Sequence, residues 1–354
     1  MTIWVAGASV RAFLRGRRAL GGPGAVGQAV VVVAPDPGRR VEVEQLILLA
    51  SGLSDRLAEI RVATTPNDQH ARRAVSELSR RRPPVPARHF EMVPPARHVP
   101  SSWLGLAQVG EEGLVLAVDP AARPASRQVA RLLQALTSAD LVAGCPAPAS
   151  RTIRSSFMAR LACELAPLLF VTGGALGLFP LLVVADETVS RAARDDPLSA
   201  NRLSLASALC AAARKALLCP CPVGVEAGAI SRLLSSHLTV LFRARPYSAF
   251  MVQTYLLALP LGLLAFAITP GYSTLMPLLL VFLSRAVAAA TWGRALHGPA
   301  WALVGLLLSP VTDIMALLYC VAASGRDRIK LGESRYKVHR GGILSVENVV
   351  TWNA

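Results

Sequence analysis

Aromatic and acidic residues are scarce in this sequence. Phe, Trp and Tyr make up 5% of the 354 residues, and 22 Asp and Glu stand against 37 Lys and Arg, so the formal net charge is +15. The basic runs, such as residues 80–82, contain no aromatic side chains on which bases could stack. We therefore expect no nucleic acid partner. Two other effects account for the excess charge: Arg is abundant throughout the sequence, and basic residues that flank membrane spans hold anionic headgroups.

Cysteine is also scarce, and its spacing fits no common site. The closest pair, Cys219 and Cys221, is one residue short of a redox CxxC motif. The set as a whole matches neither a zinc ribbon nor a disulfide framework, so we expect buried free thiols. The six cysteines are Cys145, Cys163, Cys210, Cys219, Cys221 and Cys320.

The N-terminus does not have the pattern of a secretory signal. Residues 1–14 are mildly apolar, but Arg11 interrupts them and a basic run at residues 15–18 follows them. A signal peptide has the opposite order of charge and apolar core. We expect residues 1–26 to form a separate N-terminal segment, for which the membrane surface is a candidate location.

Two long apolar stretches lie near the C-terminus, and each has one charged residue near its middle. Residues 273–291 contain Arg285, and residues 299–323 contain Asp313. A bilayer span needs about 20 apolar residues, and an ionisable side chain at its centre is costly unless it faces protein or water. The pattern predicts a multi-pass membrane protein. Arg285 and Asp313 either pair with each other or reach polar groups separately.

A further apolar stretch, residues 249–268, leaves the number of spans open. Arg326, Arg328 and Lys330 follow the last stretch. Three full spans would put these basic residues on the side opposite the main domain, against the positive-inside tendency. A re-entrant segment around Pro260 would remove this conflict. We expect the main domain to face the cytoplasm.

Residues 27–144 alternate short β-rich runs with helical patterns, which predicts an α/β fold with a mostly parallel sheet. Ligands of such sheets bind beyond the carboxyl ends of the strands. Asp36, Asp68 and Asp119 follow three predicted strands and would lie there. The predicted strands are 29–34, 60–64, 90–93 and 114–118, and the predicted helices are 43–57, 69–80, 102–110 and 126–136.

Residues 146–245 are less regular. Residues 165–185 are apolar enough for a span, but two prolines and several glycines interrupt them. We interpret this segment as strand and loop or as an interfacial helix, with a further span as the alternative. Residues 201–214 predict a helix, and residues 215–219 a short strand.

Three segments carry the most specific patterns. Residues 306–322 (LLLSPVTDIMALLYCVA) follow "LLLxPxRDLLxFxxW", with Asp313 at the Asp position. Residues 329–342 (IKLGESRYKVHRGG) are similar to "WRGRRYRVxxGG", and residues 205–224 to "LGRALRAAGRRVLLSPxPVG". With these motifs the chain resembles family 2-like glycosyltransferases of the ceramide glucosyltransferase type and their hopanoid-pathway relatives. The resemblance extends weakly over residues 29–345. It implies a GT-A-like fold and a membrane block.

The resemblance also implies which acidic residues would hold a nucleotide-sugar donor and its divalent cation, Mg²⁺ or Mn²⁺. The family's DxD motif reads Asp119-Pro120-Ala121 here, so Asp119 is the candidate donor and metal ligand. The motif VDDPDD is reduced to Asp68 as a candidate donor contact. Both residues also have structural interpretations, an Asp-Pro turn for Asp119 and a helix N-cap for Asp68.

In the family, a pair of acidic residues before the LGRAL motif would include the catalytic base. In this sequence Asn201 and Arg202 stand at those two positions, and neither side chain acts as a base at neutral pH. Asp195 and Asp196, just upstream, are the candidate bases if the loop is displaced. Arg202 would repel a metal ion but could hold a diphosphate. The family's (Q/R)xxRW helix reads HLTVL from His237, which has the alternative interpretation of an amphipathic-helix residue.

Two functions follow from these patterns. The first is sugar transfer from a nucleotide-sugar to a membrane lipid, with Asp186 and Glu187 as a less favoured pair of bases. The second is a catalytically silent homologue that binds a lipid or a protein partner. We expect a glycosyltransferase-like domain at residues 27–245, a membrane block of two to three helices at 246–323, and a basic tail at 324–354.

Overall fold

The computed structural model describes most of the chain. The described residues are 1–21, 27–35, 43–66, 68–81, 83–93, 99–110, 113–149, 153–225, 227–297, 299–331 and 334–349. Asp36 and Asn67, which lie in two of the predicted ligand-binding loops, fall outside them.

An eight-stranded sheet forms the core of the first 245 residues. Its order is β3-β2-β1-β4-β7-β6-β8-β5. All neighbouring strands run parallel except around β7, which is antiparallel to β4 and β6, and at the edge, where β5 is antiparallel to β8. The strands are β1 (Ala29–Val33), β2 (Leu57–Thr64), β3 (Ala87–Glu91), β4 (Leu114–Val118), β5 (Ala122–Arg123), β6 (Leu141–Pro148), β7 (Leu182–Ala185) and β8 (Ala216–Val225).

Helices flank this sheet, as its apolar strands require. All five residues of β1 and all four of β7 are buried, which is typical of strands covered on both faces. The predicted α/β class with a mostly parallel sheet is confirmed. The helices are α1 (Thr2–Ala19), α2 (Val43–Gly52), α3 (Gln69–Arg80), α4 (Ser101–Ala107), α5 (Ser126–Ala135), α6 (Ile153–Gly173), α7 (Glu187–Asp195), α8 (Leu205–Ala212) and α9 (Ala227–Ala244).

Two local predictions were wrong in extent. The helix from Val43 ends at Gly52 rather than at residue 57, because Leu57 pairs with Ala29 at the start of β2. The predicted helix 201–214 begins only at Leu205, where the Ser204 hydroxyl caps it by accepting the Ser207 amide. Asn201 and Arg202 therefore lie in the turn before α8.

The segment 165–185 is neither a strand-and-loop segment throughout nor a lipid-facing span. Its first half belongs to α6, which continues through Pro167, and only Leu182–Ala185 forms a strand. Leu161, Leu165 and Leu169 of α6 are fully buried. Burial of this face stabilises the helix by more than the hydrogen bond that the proline removes.

The C-terminal block consists of α10 (Pro246–Ile268), α11 (Tyr272–His297) and α12 (Pro299–Ser324). The helix α10 is continuous through Pro260. Two helices of the described chain are long and apolar enough to cross a membrane, Pro246–Ile268 and Tyr272–Arg294. Large apolar side chains on these two helices are exposed, and they include Leu261, Leu264, Ile268, Met276, Leu280, Leu283 and Val287.

The tail returns to the sheet domain. It forms a three-stranded antiparallel sheet of β9 (Arg328–Leu331), β10 (Ser334–Val338) and β11 (Leu344–Val349). Tyr336 is buried with Val240 of α9 in a small apolar cluster, and Lys337 is exposed. The tail is therefore β-structured and packs on α9 of the sheet domain. The domain limits 27–245, 246–323 and 324–354 stay predictions.

Candidate functional site

Asp119 lies where the sheet topology favours ligand binding. It follows β4, and β4 and β2 lie on opposite sides of β1, so the order of strands reverses beside it. Open α/β sheets bind ligands at such a switch point. A small cavity of about 290 Å³, including space open to solvent, adjoins Asp119 between the ends of β1 and β4. Apart from Asp119 and Gln45, its lining is apolar, with Val33, Leu46, Leu49, Val118, Pro120, Ala122 and Pro124.

The Asp119 carboxylate closes a turn. Its Oδ1 accepts a hydrogen bond from the Ala121 amide at 2.8 Å, and its carbonyl oxygen accepts one from the Ala122 amide at 2.8 Å. The Asp119 amide donates to the Leu181 carbonyl at 2.9 Å. This is the Asp-Pro turn expected as the structural alternative. One carboxylate oxygen is therefore already engaged by the backbone, and the methyl group of Ala121 stands where a second acid would.

Asp68 stands directly before α3, as an N-cap residue does. Its amide donates to the Thr65 carbonyl, and its carbonyl accepts from the Arg72 amide, both at 3.1 Å. The residue is buried. Its position is that of a helix cap, and its role as a donor contact stays a prediction.

Asp195 and Asp196 end α7 in different environments. The Asp195 side chain is 66% exposed and lies 3.8 Å from the Nε of Arg194. The Oδ1 of Asp196 accepts from the Leu198 amide at 3.0 Å, and the Ser199 hydroxyl lies 3.3 Å from its Oδ2. Asp196 thus caps the turn that leads towards α8, whereas Asp195 is free of such a structural task.

Arg202 joins this turn to the tail. Its guanidinium donates to the Gly341 carbonyl, although 139 residues separate the two in sequence. Burial lowers the pKa of Arg202, and the Asp196 carboxylate partly opposes this change. Within the described part of the chain its buried Nε has no hydrogen-bond partner. The residue at the family's base position therefore meets the Gly-Gly ending of the tail motif.

Glycine is required at this tail turn. Gly341 and Gly342 have φ values of +84° and +75°, which other residues rarely adopt. A Cβ on Gly342 would also lie 3.0 Å from a methyl group of Val240 on α9. The turn therefore lies close against α9.

The described residues do not fit the divalent cation that the resemblance implies. Among them, no three His, Cys, Asp or Glu residues come together in a group that could hold a metal ion. Asp119 has its Oδ1 in a turn and no second acid at the DxD position. Cations such as Mg²⁺ and Mn²⁺ need at least one or two carboxylates free to bind them. Among the described residues, Asp119 therefore has no second acid at the DxD position with which to share such an ion.

The membrane-block charges Arg285 and Asp313 are paired, which confirms the first of the two sequence interpretations. Both side chains are buried, with 6% and 8% of their surface exposed, and the Arg285 guanidinium donates to Asp313 Oδ2. Arg285 also donates to the Tyr255 carbonyl, and its guanidinium carbon lies 4.4 Å from the centre of the Tyr255 ring. The pair thus links α10, α11 and α12.

A cavity between α1, α6 and the three C-terminal helices opens onto this pair. Its empty space, including the part open to the outside, is about 940 Å³. The lining combines six polar or charged residues with ten that are apolar or glycine. The polar lining residues are Ser9, Glu164, Tyr255, Arg285, Trp292 and Asp313, and the others are Val5, Cys163, Leu165, Pro167, Leu168, Leu256, Ala288, Ala289, Gly293 and Ala316.

The helix α1 forms one wall of this cavity. The Trp292 indole donates to the Ser9 hydroxyl at 3.1 Å, and its ring packs edge-on against Phe13 at 5.2 Å between centroids. On the opposite face of α1, Ile3 and Trp4 are exposed. Residues 1–26 thus contribute to the packed structure through one face of α1, and their location at a membrane surface stays a prediction.

Sequence reasoning found the two charges of this cavity but not its other polar residues. Ser9, Glu164, Tyr255 and Trp292 come from four separate helices and follow no local motif. Of these four residues, only Trp292 could have been singled out from the sequence, because it is one of five tryptophans and follows directly after the apolar stretch 273–291. An interfacial tryptophan would have been the ordinary interpretation.

His237 lies on the buried face of α9. Its ring packs on Phe179 at 5.1 Å between centroids. Burial lowers the pKa of His237 to about 4, and a backbone hydrogen bond at Gly177 partly opposes this change. The residue is therefore a neutral core imidazole at pH 7.

All six cysteines are buried and none of them forms a disulfide, as predicted. Burial raises the pKa of Cys210 and of Cys221 to about 12, and it raises that of Cys145 well above its ordinary value. Thiolates, not thiols, attack substrates or bind metals. These buried thiols are therefore poor nucleophiles and poor metal ligands.

Comparisons with known proteins give a limited result. No protein-family model and no curated protein matches the chain. The mannosyltransferase PcManGT from Pyrobaculum calidifontis, solved with GDP-Man and Mn²⁺, is 15% identical, covers 92% of this chain and 98% of its own, and superposes with a TM-score of 0.43. Glucosyl-3-phosphoglycerate synthase from Mycobacterium tuberculosis, solved with Mn²⁺, UDP and glucosyl-3-phosphoglycerate, is 18% identical over 63% of this chain and 81% of its own, with a TM-score of 0.39. At these values the likeness identifies no substrate, acceptor or metal for this chain.

Proposed function

We propose that this protein is a membrane glycosyltransferase homologue that binds a lipid between its sheet domain and its C-terminal helices and has lost sugar transfer. The observation that carries the proposal is the cavity at the Arg285–Asp313 pair. A mostly apolar lining with a small number of polar groups suits an amphipathic molecule. The cavity therefore fits a membrane lipid better than a free sugar.

The polar end of this lipid would be uncharged or cationic. The lining has one basic residue, Arg285, against two acidic residues, Glu164 and Asp313. Arg285 is paired with Asp313 and also interacts electrostatically with Glu164, so the lining carries more negative than positive charge and disfavours an anionic group. A hydroxyl or amine headgroup avoids this repulsion.

The loss of transfer is supported at the residues that should perform it. Asp119 closes a turn, and Asp196 caps another. Asp195 is solvent-exposed beside Arg194, and Arg202 holds the tail. None of these contacts prepares a carboxylate to deprotonate a hydroxyl inside a water-excluding site, which general-base catalysis needs.

The membrane arrangement that we propose has two crossings, α10 and α11. The tail packs on α9 of the sheet domain, so the chain must return to the side of the membrane on which it entered. An even number of crossings satisfies this condition, and three full spans do not. In this arrangement α12 packs against the other helices without crossing fully, and the domain and the basic tail both face the cytoplasm.

A second candidate is active transfer from a nucleotide-sugar to a lipid acceptor. The observation that favours it is the position of Asp119 at the switch point of the sheet, where nucleotides bind in open α/β folds. In that case Asp119 would hold the donor or its Mg²⁺ or Mn²⁺, Asp68 and Arg202 would contact the donor, and Asp195 or Asp196 would act as the base.

Turnover measurements separate the two candidates. The purified full chain is incubated with nucleotide-sugars, with and without Mn²⁺, in the presence of membrane lipids, and release of nucleotide is measured. We expect no turnover above that of the Asp119→Ala and Asp195→Asn variants. Metal-dependent turnover that either variant abolishes would establish the second candidate and refute the loss of transfer.

Lipid binding is tested separately by filling the cavity. Ala289 lines it and Ala290, its exposed neighbour on α11, does not. We expect Ala289→Phe to lose the lipid that copurifies with the unmodified protein, measured by native mass spectrometry, whereas Ala290→Phe keeps it. Retention of the same lipid by both variants, or copurification of a protein and no lipid, would contradict the proposal.

A further inference from the structure

A second pocket lies where the sheet domain, the first C-terminal helix and the tail meet. Its empty space, including the part open to solvent, is about 1020 Å³. It shares no lining residue with the cavity at the Arg285–Asp313 pair. The lining residues are Phe242, Arg243, Ala244, Pro246, Ala249, Ser324, Arg340 and Gly341, and we refer to this site as the Arg243–Arg340 pocket.

The pocket carries positive charge that the described residues do not neutralise. Arg243 uses its Nε to donate to the Arg326 carbonyl at 3.2 Å, which leaves its two terminal nitrogens without a partner in the described chain. Arg340 is exposed and forms no ion pair with any described carboxylate. The lining contains no acidic residue. Two guanidiniums facing one space favour an anionic ligand.

The tail is held in place around this charge. Arg202 donates to the carbonyl of Gly341, which lines the pocket beside Arg340. Arg326 donates to the Ser235 hydroxyl of α9 at 3.1 Å. These contacts fix the tail turn against α9, so Arg340 is presented from a positioned turn and not from a free end.

The pocket adjoins the start of an apolar helix. Pro246 and Ala249 belong to the first turns of α10, and on the same turns Tyr247 and Phe250 are 69% and 62% exposed. Further along α10, the exposed side chains are aliphatic, as at Leu261 and Leu264. Aromatic side chains at the end of an apolar helix are typical of the depth of lipid headgroups. A ligand with its charge in the pocket could lay a hydrocarbon chain along α10.

We infer that the Arg243–Arg340 pocket binds the phosphate group of an anionic glycerophospholipid. Guanidiniums bind phosphate oxygens in pairs of parallel hydrogen bonds, and the neighbouring apolar surface of α10 accommodates the acyl chains. The inference rests on the proposed membrane location of α10, but not on sugar transfer or on the lipid of the other cavity. A water-soluble phosphate compound shares the headgroup chemistry but lacks the chains.

The experiment compares lipids that differ only in headgroup charge. The full chain in detergent is mixed with phosphatidylglycerol or phosphatidylcholine of the same acyl composition, and bound lipid is counted by native mass spectrometry. The variants are Arg243→Gln, Arg340→Gln and both together. The control is Arg73→Gln, an exposed arginine of α3 that has no partner among the described residues. Glycerol 3-phosphate is added as a competitor that has no chains.

We expect phosphatidylglycerol to bind in preference to phosphatidylcholine. Each single pocket variant should weaken it about fivefold and the double variant about 25-fold, as expected for basic residues near anionic headgroups. Arg73→Gln and glycerol 3-phosphate should have no effect. Equal binding of both lipids, equal losses with Arg73→Gln, or full competition by glycerol 3-phosphate would overturn the inference. Because Ala289→Phe leaves this pocket intact, failure here is distinct from failure of the proposed function.

Discussion

Removing the carboxylate of Asp313 should destabilise the C-terminal block more than any surface substitution. Asp313 forms an ion pair with Arg285, and both side chains are almost completely buried. In Asp313→Ala, Arg285 keeps the Tyr255 carbonyl and ring but loses this counter-charge. The variant therefore leaves a buried guanidinium without its paired carboxylate among three helices.

The size of the effect follows from the charges and their burial. Two unit charges about 4 Å apart attract by roughly 4 kcal/mol at an effective dielectric constant of 20. Breaking a buried pair from one side costs about 3–5 kcal/mol, because the remaining charge stays desolvated. Replacing both partners with apolar residues is often neutral, so Arg285→Leu combined with Asp313→Leu should recover most of the stability.

The assay is thermal unfolding of the full chain in detergent, followed by the loss of the monodisperse peak in size-exclusion chromatography. At about 2 °C for each kcal/mol, Asp313→Ala should lower the midpoint by roughly 6–10 °C. Asp55→Ala serves as the control, since Asp55 is exposed and lies 3.9 Å from Arg56. Such surface pairs contribute about 0–1 kcal/mol.

The decisive measurement is the coupling free energy between Arg285 and Asp313, obtained from the two single variants and the double variant. If the pair exists, the double variant is more stable than the sum of the two single losses predicts. Additive losses in Arg285→Leu, Asp313→Leu and the double variant would show that the two side chains do not interact. That result would also remove the link between α11 and α12 on which the shape of the lipid cavity depends.

Three further predictions concern packing, pH and thiol reactivity. A Cβ on Gly16 of α1 would lie 2.3 Å from the Leu218 carbonyl oxygen of β8, so Gly16→Ala should lower the midpoint of thermal unfolding. A Cβ on Gly7 would have no atom within 4 Å, so the control Gly7→Ala should leave the midpoint unchanged or raise it. Equal midpoints for the two variants would show that α1 does not pack on β8. Because burial lowers the pKa of His237 to about 4, the unfolded chain binds a proton there that the folded chain does not. Stability from this residue is present above about pH 6.5 and is lost, by roughly 3 kcal/mol, as the pH falls to about 4. The pH dependence of unfolding should be shallower in His237→Gln, and an unchanged slope would contradict the burial. All six cysteines are buried, so N-ethylmaleimide should modify none of them in the folded protein and all six after denaturation. The number of modified thiols is counted by mass spectrometry. Rapid labelling of the folded protein would contradict the burial of these residues.

Local patterns were sufficient for the elements of the fold. The alternation of apolar runs and helical periods predicted β1, β4 and α3 within a residue of their observed bounds. Local patterns left residues 165–185 open between strand and loop, an interfacial helix and a further span. Burial of one face of α6 in the protein decides for a helix that continues through Pro167 to Gly173.

The candidate site was predictable only in part, since residue type does not show which groups a side chain contacts. The sequence placed Asp119 at the end of a strand but could not choose between a ligand and an Asp-Pro turn. The bond from the Ala121 amide shows that the carboxylate forms the turn. Likewise Arg202 was a candidate diphosphate ligand, and its contact with Gly341 across 139 residues lay beyond any local pattern.

The sequence by itself determined that this protein joins an α/β sheet to long apolar helices, and its resemblance to family 2-like glycosyltransferases implied that most of their site acids are replaced here. Those properties depend on residue types and on the spacing of apolar residues, which repeats every two to four positions in strands and helices. Both can be recognised in the sequence without knowledge of the folded structure. The tertiary structure decided that Arg285 and Asp313, 28 residues apart, neutralise each other, and that the tail returns to α9. Such contacts depend on how whole helices pack, and packing is set by the sum of many distant side chains.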